Sequence, residues 1–238
     1  MKCGWGRAEK YGWNQKYGGR RALKYFVHAT FLILLAASVA SAQGPAPPDA
    51  PAPKSESRVK SMASFLAGGA AGLVVHESGH VVLSGAFGAH PRVRPLEGSA
   101  IPFFKIVHDP VSRRREFVIS SAGFWMQHAS SEWILTKNPG LRRQHAPFQK
   151  GVLAFNLGAS AMYSVVALSR HGAAERDTRG IAASLGRNGV GEPIVGLMVL
   201  APAVLDGYRY LNPNAKWAVW TSRAAKIASV ALVMAAGR

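Results

Sequence analysis

Five consecutive residues of this chain have the types and spacing of a metal-assisted hydrolytic site. Residues 76–80 read His-Glu-Ser-Gly-His. On an α-helix, side chains four apart lie on one face, one turn from each other. His76 and His80 can therefore offer imidazole nitrogens to one ion. Zinc suits such ligands and accepts four-coordinate geometry with an open place for water. Glu77 stands where a carboxylate can take a proton from that water as it attacks a carbonyl carbon. The chain has 238 residues and 8 histidines, and chance produces such a pattern roughly once in a hundred chains of this make-up. Val74, Val75, Val81 and Val82 bracket the motif. An ionisable triplet in an apolar helix is costly, so its default reading is functional. The bland alternative is two packed histidines beside a glutamate satisfied by its neighbours.

A catalytic zinc needs a third protein ligand. His90, Glu97, His108, Asp109, Glu116, His128, Glu132 and Asp206 are the candidates considered. His128 and Glu132 are four apart and form a second polar cluster, which an ordinary helix-surface hydrogen bond would also explain. Asp206 is the most suggestive. It ends the apolar run from Val199 to Leu205 and precedes Gly207. An acid at the end of a membrane-depth helix needs a partner, which a metal or the nearby Arg209 would supply.

The elements that must hold these residues read as helices. Ser61 to Ala89 is apolar, rich in Gly and Ala, with Glu77 as its only charged residue. Its length suffices to span a bilayer, and Gly68 with Gly72 forms a small-xxx-small pair. Prolines 91, 95, 102 and 110 break up the next stretch, in which Ile101 to Val107 reads as a short strand and Arg113 to Arg115 close a loop. Phe117–Leu135, Gly151–Leu168, Val190–Leu205 and Trp217–Ala236 are further apolar segments, and 169–189 is polar and basic. The expected fold is all-α, a multi-pass transmembrane bundle of about four or five helices over residues 61–238. Ahead of it, a basic stretch, an apolar run from Phe26 to Ala40 and Ala40-Ser41-Ala42 predict a signal peptide or signal anchor over 1–42. Residues 43–60 are a Pro/Ala-rich linker.

Composition agrees with membrane threading. Hydrophobic residues are 48% of the chain and charged ones 17%, with a formal net charge of +17. The mean hydropathy of +0.05 is high for so cationic a chain. The cations are scattered through loops rather than gathered on a helix, which argues against nucleic acid as a partner. Positive residues on nearly every loop leave the orientation open. A single cysteine, Cys3, excludes an internal disulfide framework.

His76-Glu77-Ser78-Gly79-His80 in an apolar helix, followed much later by Leu205-Asp206-Gly207, resembles the site-2 protease family of intramembrane zinc metalloproteases. The resemblance implies that His76, His80 and Asp206 bind Zn2+ and that Glu77 is the base. Gly85-Ala86-Phe87-Gly88, Arg92–Leu96 and Ser120-Ser121-Ala122-Gly123 extend the likeness. The chain departs from the family in having Phe124 after Gly123 rather than proline. Pro202 stands four residues before Asp206 rather than three, with no asparagine nearby.

The leading expectation is thus a membrane-embedded zinc metallopeptidase, inserted through the secretory pathway into the cell membrane and acting on a membrane-anchored protein substrate. One alternative is an exported or membrane-bound zinc hydrolase of gluzincin type, taking Glu116 or Glu132 as third ligand, with His108 and His128 as further candidates. The other is a non-catalytic membrane protein with a structural or vestigial metal site, its loop cations meeting the lipid bilayer.

Overall fold

A computed structural model describes residues 57–95, 104–171, 176–186 and 191–236. The predicted signal segment 1–42 and nearly all of the linker lie outside the described residues. Helix makes up 77% of what is described. The order is α1 (Arg58–Ala86), β1 (Arg92–Pro95), β2 (Phe104–Val107), α2 (Arg113–Lys137), α3 (Pro147–Ser169), α4 (Asp177–Ser184), α5 (Gly191–Leu211) and α6 (Lys216–Ala236).

Helix ends follow local chemistry. The Ser57 side chain accepts from the Lys60 backbone N–H and starts α1 three residues before the expected Ser61. Ser112 caps α2 in the same way, so Arg113 to Arg115 form its first turn rather than a loop. Glu116 adds an acid where the helix dipole favours one. Pro147 opens α3, where its missing N–H costs nothing. Arg170 ends α3 with φ 59°, and Gly88 follows α1 with φ 68°. The stretch 169–189, read as polar and basic, contains α4. The anticipated strand is real but shorter, and it pairs antiparallel with β1, Arg92 facing Val107.

Glycines at the crossings set how closely the helices approach. A Cβ on Gly68 would meet the Phe148 carbonyl, one on Gly151 the Phe65 carbonyl, and one on Gly72 the Phe155 ring. Residues 65–72 of α1 thus run beside 148–155 of α3 in the same direction, the most extensive helix pair. The Gly68/Gly72 spacing is used here, within one chain. Helix α2 runs antiparallel to α1: Ile119 meets His80, Ala122 meets Gly79 and Gly123 meets His76. Helix α5 is antiparallel to α3, with Gly196 against Ser164 and Gly207 against Leu157. Helix α6 turns back on α5, with Ser222 and Lys226 against Asp206.

Two apolar clusters fill the interior. Phe117, Phe124, Ile181, Ala182, Val195 and Val199 join α2, α4 and α5. Ala71, Ile134, Leu135, Val152 and Leu153 join α1, α2 and α3, with Leu141 below them. The outer faces are also apolar: Leu66, Val82, Val165, Leu197, Val204 and Trp220 are all exposed.

Among the described residues, three helices are long and apolar enough to cross a membrane by length and composition: α1, α3 and α5. Four or five were expected; α2 is too rich in polar residues to count by composition alone. In α2 those residues point inward: Ser120, Ser121, Gln127, His128 and Ser131 are buried.

The α1–α3 contact sets a test. Gly151→Leu places a side chain on the Phe65 carbonyl and should destabilise the protein by about 1–3 kcal/mol. Thermal or denaturant unfolding in detergent reads this directly. Gly158→Leu is the matched control, since a Cβ there meets nothing within 4 Å.

Candidate metal centre

His76 and His80 lie on the inner face of α1 at 2% and 6% exposure. Their Nε2 atoms are 3.3 Å apart. The third side of the triangle comes from α4. The Asp177 Oδ2 atom is 3.2 Å from His76 Nε2 and 3.4 Å from His80 Nε2. Three ligands of a tetrahedral zinc, each about 2.0–2.2 Å from the ion, lie about 3.3–3.6 Å from one another. The three atoms are thus already spaced to share one ion. Among the described residues, His76, His80 and Asp177 form the one such group.

The surroundings are built for that geometry. The Ile119 carbonyl accepts from His80 Nδ1 at 2.8 Å, which leaves Nε2 as the ligand atom. His76 is held by rings instead: Tyr163 stacks on it at 5.8 Å and Phe124 meets it edge-on at 5.5 Å. Its Nδ1 is buried with no protein partner. Gly123 lies against the triangle, and a Cβ there would come within 2.5 Å of His76 Nε2 and 2.6 Å of His80 Nε2. That space must stay clear for the imidazoles to face each other.

Asp177 sits at the first turn of α4, whose approach depends on Gly180. A Cβ there would strike the Ser120 hydroxyl of α2. Burial pushes the Asp177 carboxyl up, but the imidazoles of His80 and His76 outweigh it and hold the group well below the usual carboxylate range. A carboxylate and two imidazoles form a donor set that could hold a divalent cation once the imidazole nitrogens facing it are deprotonated. Glu77 is half-buried next to His76. Its charge interacts with His76, His80 and Asp177 without belonging to their triangle.

Glu97 lies outside the described residues, and the other candidates lie elsewhere. Asp206 was the expected third ligand and is not part of the group. It is fully buried in a network at the α5–α6 contact, where Ser222 donates to its Oδ1 at 2.6 Å, Lys226 at 2.8 Å and Arg209 at 3.2 Å. The buried acid does have protein partners at Oδ1, two of them cations. Glu132 belongs to the same network through Arg209, Arg223 and Lys226. His128 is buried on α2 and lines an apolar cavity with Phe124, Ile181 and Val199. Glu116 accepts from Ser120 at 2.8 Å, and His108 Nε2 lies 3.5 Å from it. Neither Glu116 nor Glu132 joins the histidines, so the gluzincin-type ligand sets are not formed. Asp177 was not among the sequence candidates. It lies 101 residues after His76 in a polar stretch with no local signal.

Compared with known proteins, the chain matches no family model, no curated protein and no solved structure.

The two aspartates separate cleanly by experiment. Asp177→Asn should weaken zinc binding by more than about 100-fold and leave the fold intact. Asp206→Ala should leave zinc affinity within about twofold but destabilise the protein by about 3–5 kcal/mol, since it strips buried cations of a partner. Competitive zinc titration with a chromophoric chelator, beside thermal unfolding, reads both. Gly123→Ala should lose zinc binding as Asp177→Asn does.

Proposed function

We propose that the protein is a membrane-embedded zinc hydrolase that cleaves peptide bonds in membrane-associated polypeptide. The observation that carries the reading is the triangle of His76 Nε2, His80 Nε2 and Asp177 Oδ2, with Glu77 adjacent. Three protein ligands leave a fourth position for water. The bound ion would supply Lewis acidity and a water of lowered pKa. Glu77 would take the proton from that water and pass it to the leaving amine. Tyr163, beside His76 and Asp177, is placed to limit how far the ligands turn.

The membrane part of the reading rests on direction as well as hydropathy. Helices α1 and α3 run parallel, so a chain that crosses with α1 must return before it crosses with α3. Among the described residues, helix α2 is the only element between them of sufficient length, at 25 residues or about 37 Å. It would therefore cross with its polar side turned to the bundle, and α6 would return from α5 in the same way. The exposed apolar faces of α1, α3 and α5 would meet lipid. A substrate at that depth has its backbone locked in internal hydrogen bonds and must unwind locally to offer a carbonyl.

Catalysis and metal binding should come apart at Glu77. Glu77→Gln should keep zinc affinity and stability and lose about 10²–10⁴ in turnover, the usual worth of a general base. Wild type and variant are reconstituted in proteoliposomes with an extracted membrane-protein fraction, and new N-termini are mapped by mass spectrometry. Wild type should create N-termini within apolar segments. Glu77→Gln and chelator-treated wild type should create none, and zinc should restore the chelated enzyme. Identical maps from wild type and Glu77→Gln would leave a structural metal site in place of an enzyme.

A further inference from the structure

Asp177 is the one ligand not carried by the long helix that holds the histidines. It begins α4, a helix of 8 residues, too short to hold its position by its own hydrogen bonds. The residues on either side of it are both tied to one buried side chain of α5. Arg176 donates to Glu192 through Nε and through Nη2, the latter at 2.8 Å to Oε2. Thr178 donates its hydroxyl to Glu192 Oε1 at 3.0 Å. Glu192 is 6% exposed and Thr178 fully buried. The fork of an arginine on a carboxylate fixes orientation as well as distance.

We infer that Glu192 is a positioning residue for the metal centre, setting Asp177 Oδ2 within reach of His76 and His80 by clamping Arg176 and Thr178. The inference rests on the reading of His76, His80 and Asp177 as metal ligands. A short helix at the end of a chain segment has a wide choice of positions. The Gly180–Ser120 contact and the seating of Ile181 fix how α4 packs along its length. They do not fix the rotation of its first turn. The clamp does, because it grips the residue before the ligand and the residue after it. Its partner, Glu192, sits in the first turn of α5, whose body is packed on α3 through Gly196. The third ligand is thus referred, through Glu192, to the core of the bundle rather than to its own loop.

The test is a double-mutant cycle on metal affinity in the full-length protein. Zinc affinity is measured by chelator competition for wild type, Glu192→Gln, Asp177→Asn and the double variant, with Co2+ absorption as a report of coordination number. Glu192→Gln keeps the shape of the side chain and the Thr178 contact, and Glu192→Ala removes both. Glu192→Gln should weaken zinc about 10-fold and Glu192→Ala nearer 100-fold, the range of residues that orient metal ligands. In the Asp177→Asn background either change should cost nothing further, because Glu192 acts through Asp177. The Co2+ spectrum of Glu192→Ala should move toward that of Asp177→Asn. An equal loss in both backgrounds would overturn the inference and make Glu192 a general packing residue. Unchanged affinity in Glu192→Ala would also overturn it. A wild type that binds no zinc at all would instead remove the metal reading on which it rests, and a folded Glu192→Gln keeps the cycle readable if Glu192→Ala does not fold.

Discussion

Close backbone approach is the constraint on which this structure depends. Imidazole and carboxylate ligands reach only a few ångströms from their backbones. Helices from three parts of the chain must therefore pass nearer to one another than large side chains permit. The chain meets this with glycine at the contacts that matter: Gly79 and Gly123 between α1 and α2, Gly180 between α4 and α2, and Gly68, Gly72 and Gly151 between α1 and α3. Where lipid surrounds the helices, apolar side chains gain little by turning inward. Close packing of small residues then does what the hydrophobic effect does in water.

Charge placement follows a second rule, that a buried ion must be paired. The interior holds two sets of carboxylates with opposite fates. Asp206 and Glu132 are surrounded by Arg209, Arg223 and Lys226, which ties α6 to α5 and α2. That network pairs both carboxylates with protein cations, through Oδ1 in the case of Asp206. Asp177 faces two imidazoles and no fixed cation within its triangle. That group could hold a metal ion.

Some of this was legible in the sequence and some was not. His76, Glu77 and His80 were legible because residues four apart on a helix meet by local geometry alone. The apolar runs that became α1, α3 and α5 were legible for the same reason, while the helix starts at Ser112 and Pro147 were placed too late. Asp206 was legible as a buried acid in need of a partner. The sequence offered both a metal and Arg209, and the family-like order of motifs drew the reading to the metal. The structure brings Arg209 together with Lys226 and Ser222 instead, two residues from a helix that folds back from beyond the motif.

The sequence by itself determined a cationic, helix-rich chain with membrane-length apolar segments and one imidazole pair set to share an ion. Each of these depends on residues within a few turns of one another. Only the tertiary structure decided which carboxylate completes the triangle, since Asp177 is 101 residues from His76. Its place is set by Gly180, Ile181 and the Arg176–Glu192 pair, contacts that exist only when α2, α4 and α5 have packed. No period or spacing encodes such a meeting, because the approach of distant helices depends on the shapes of all the surfaces between them.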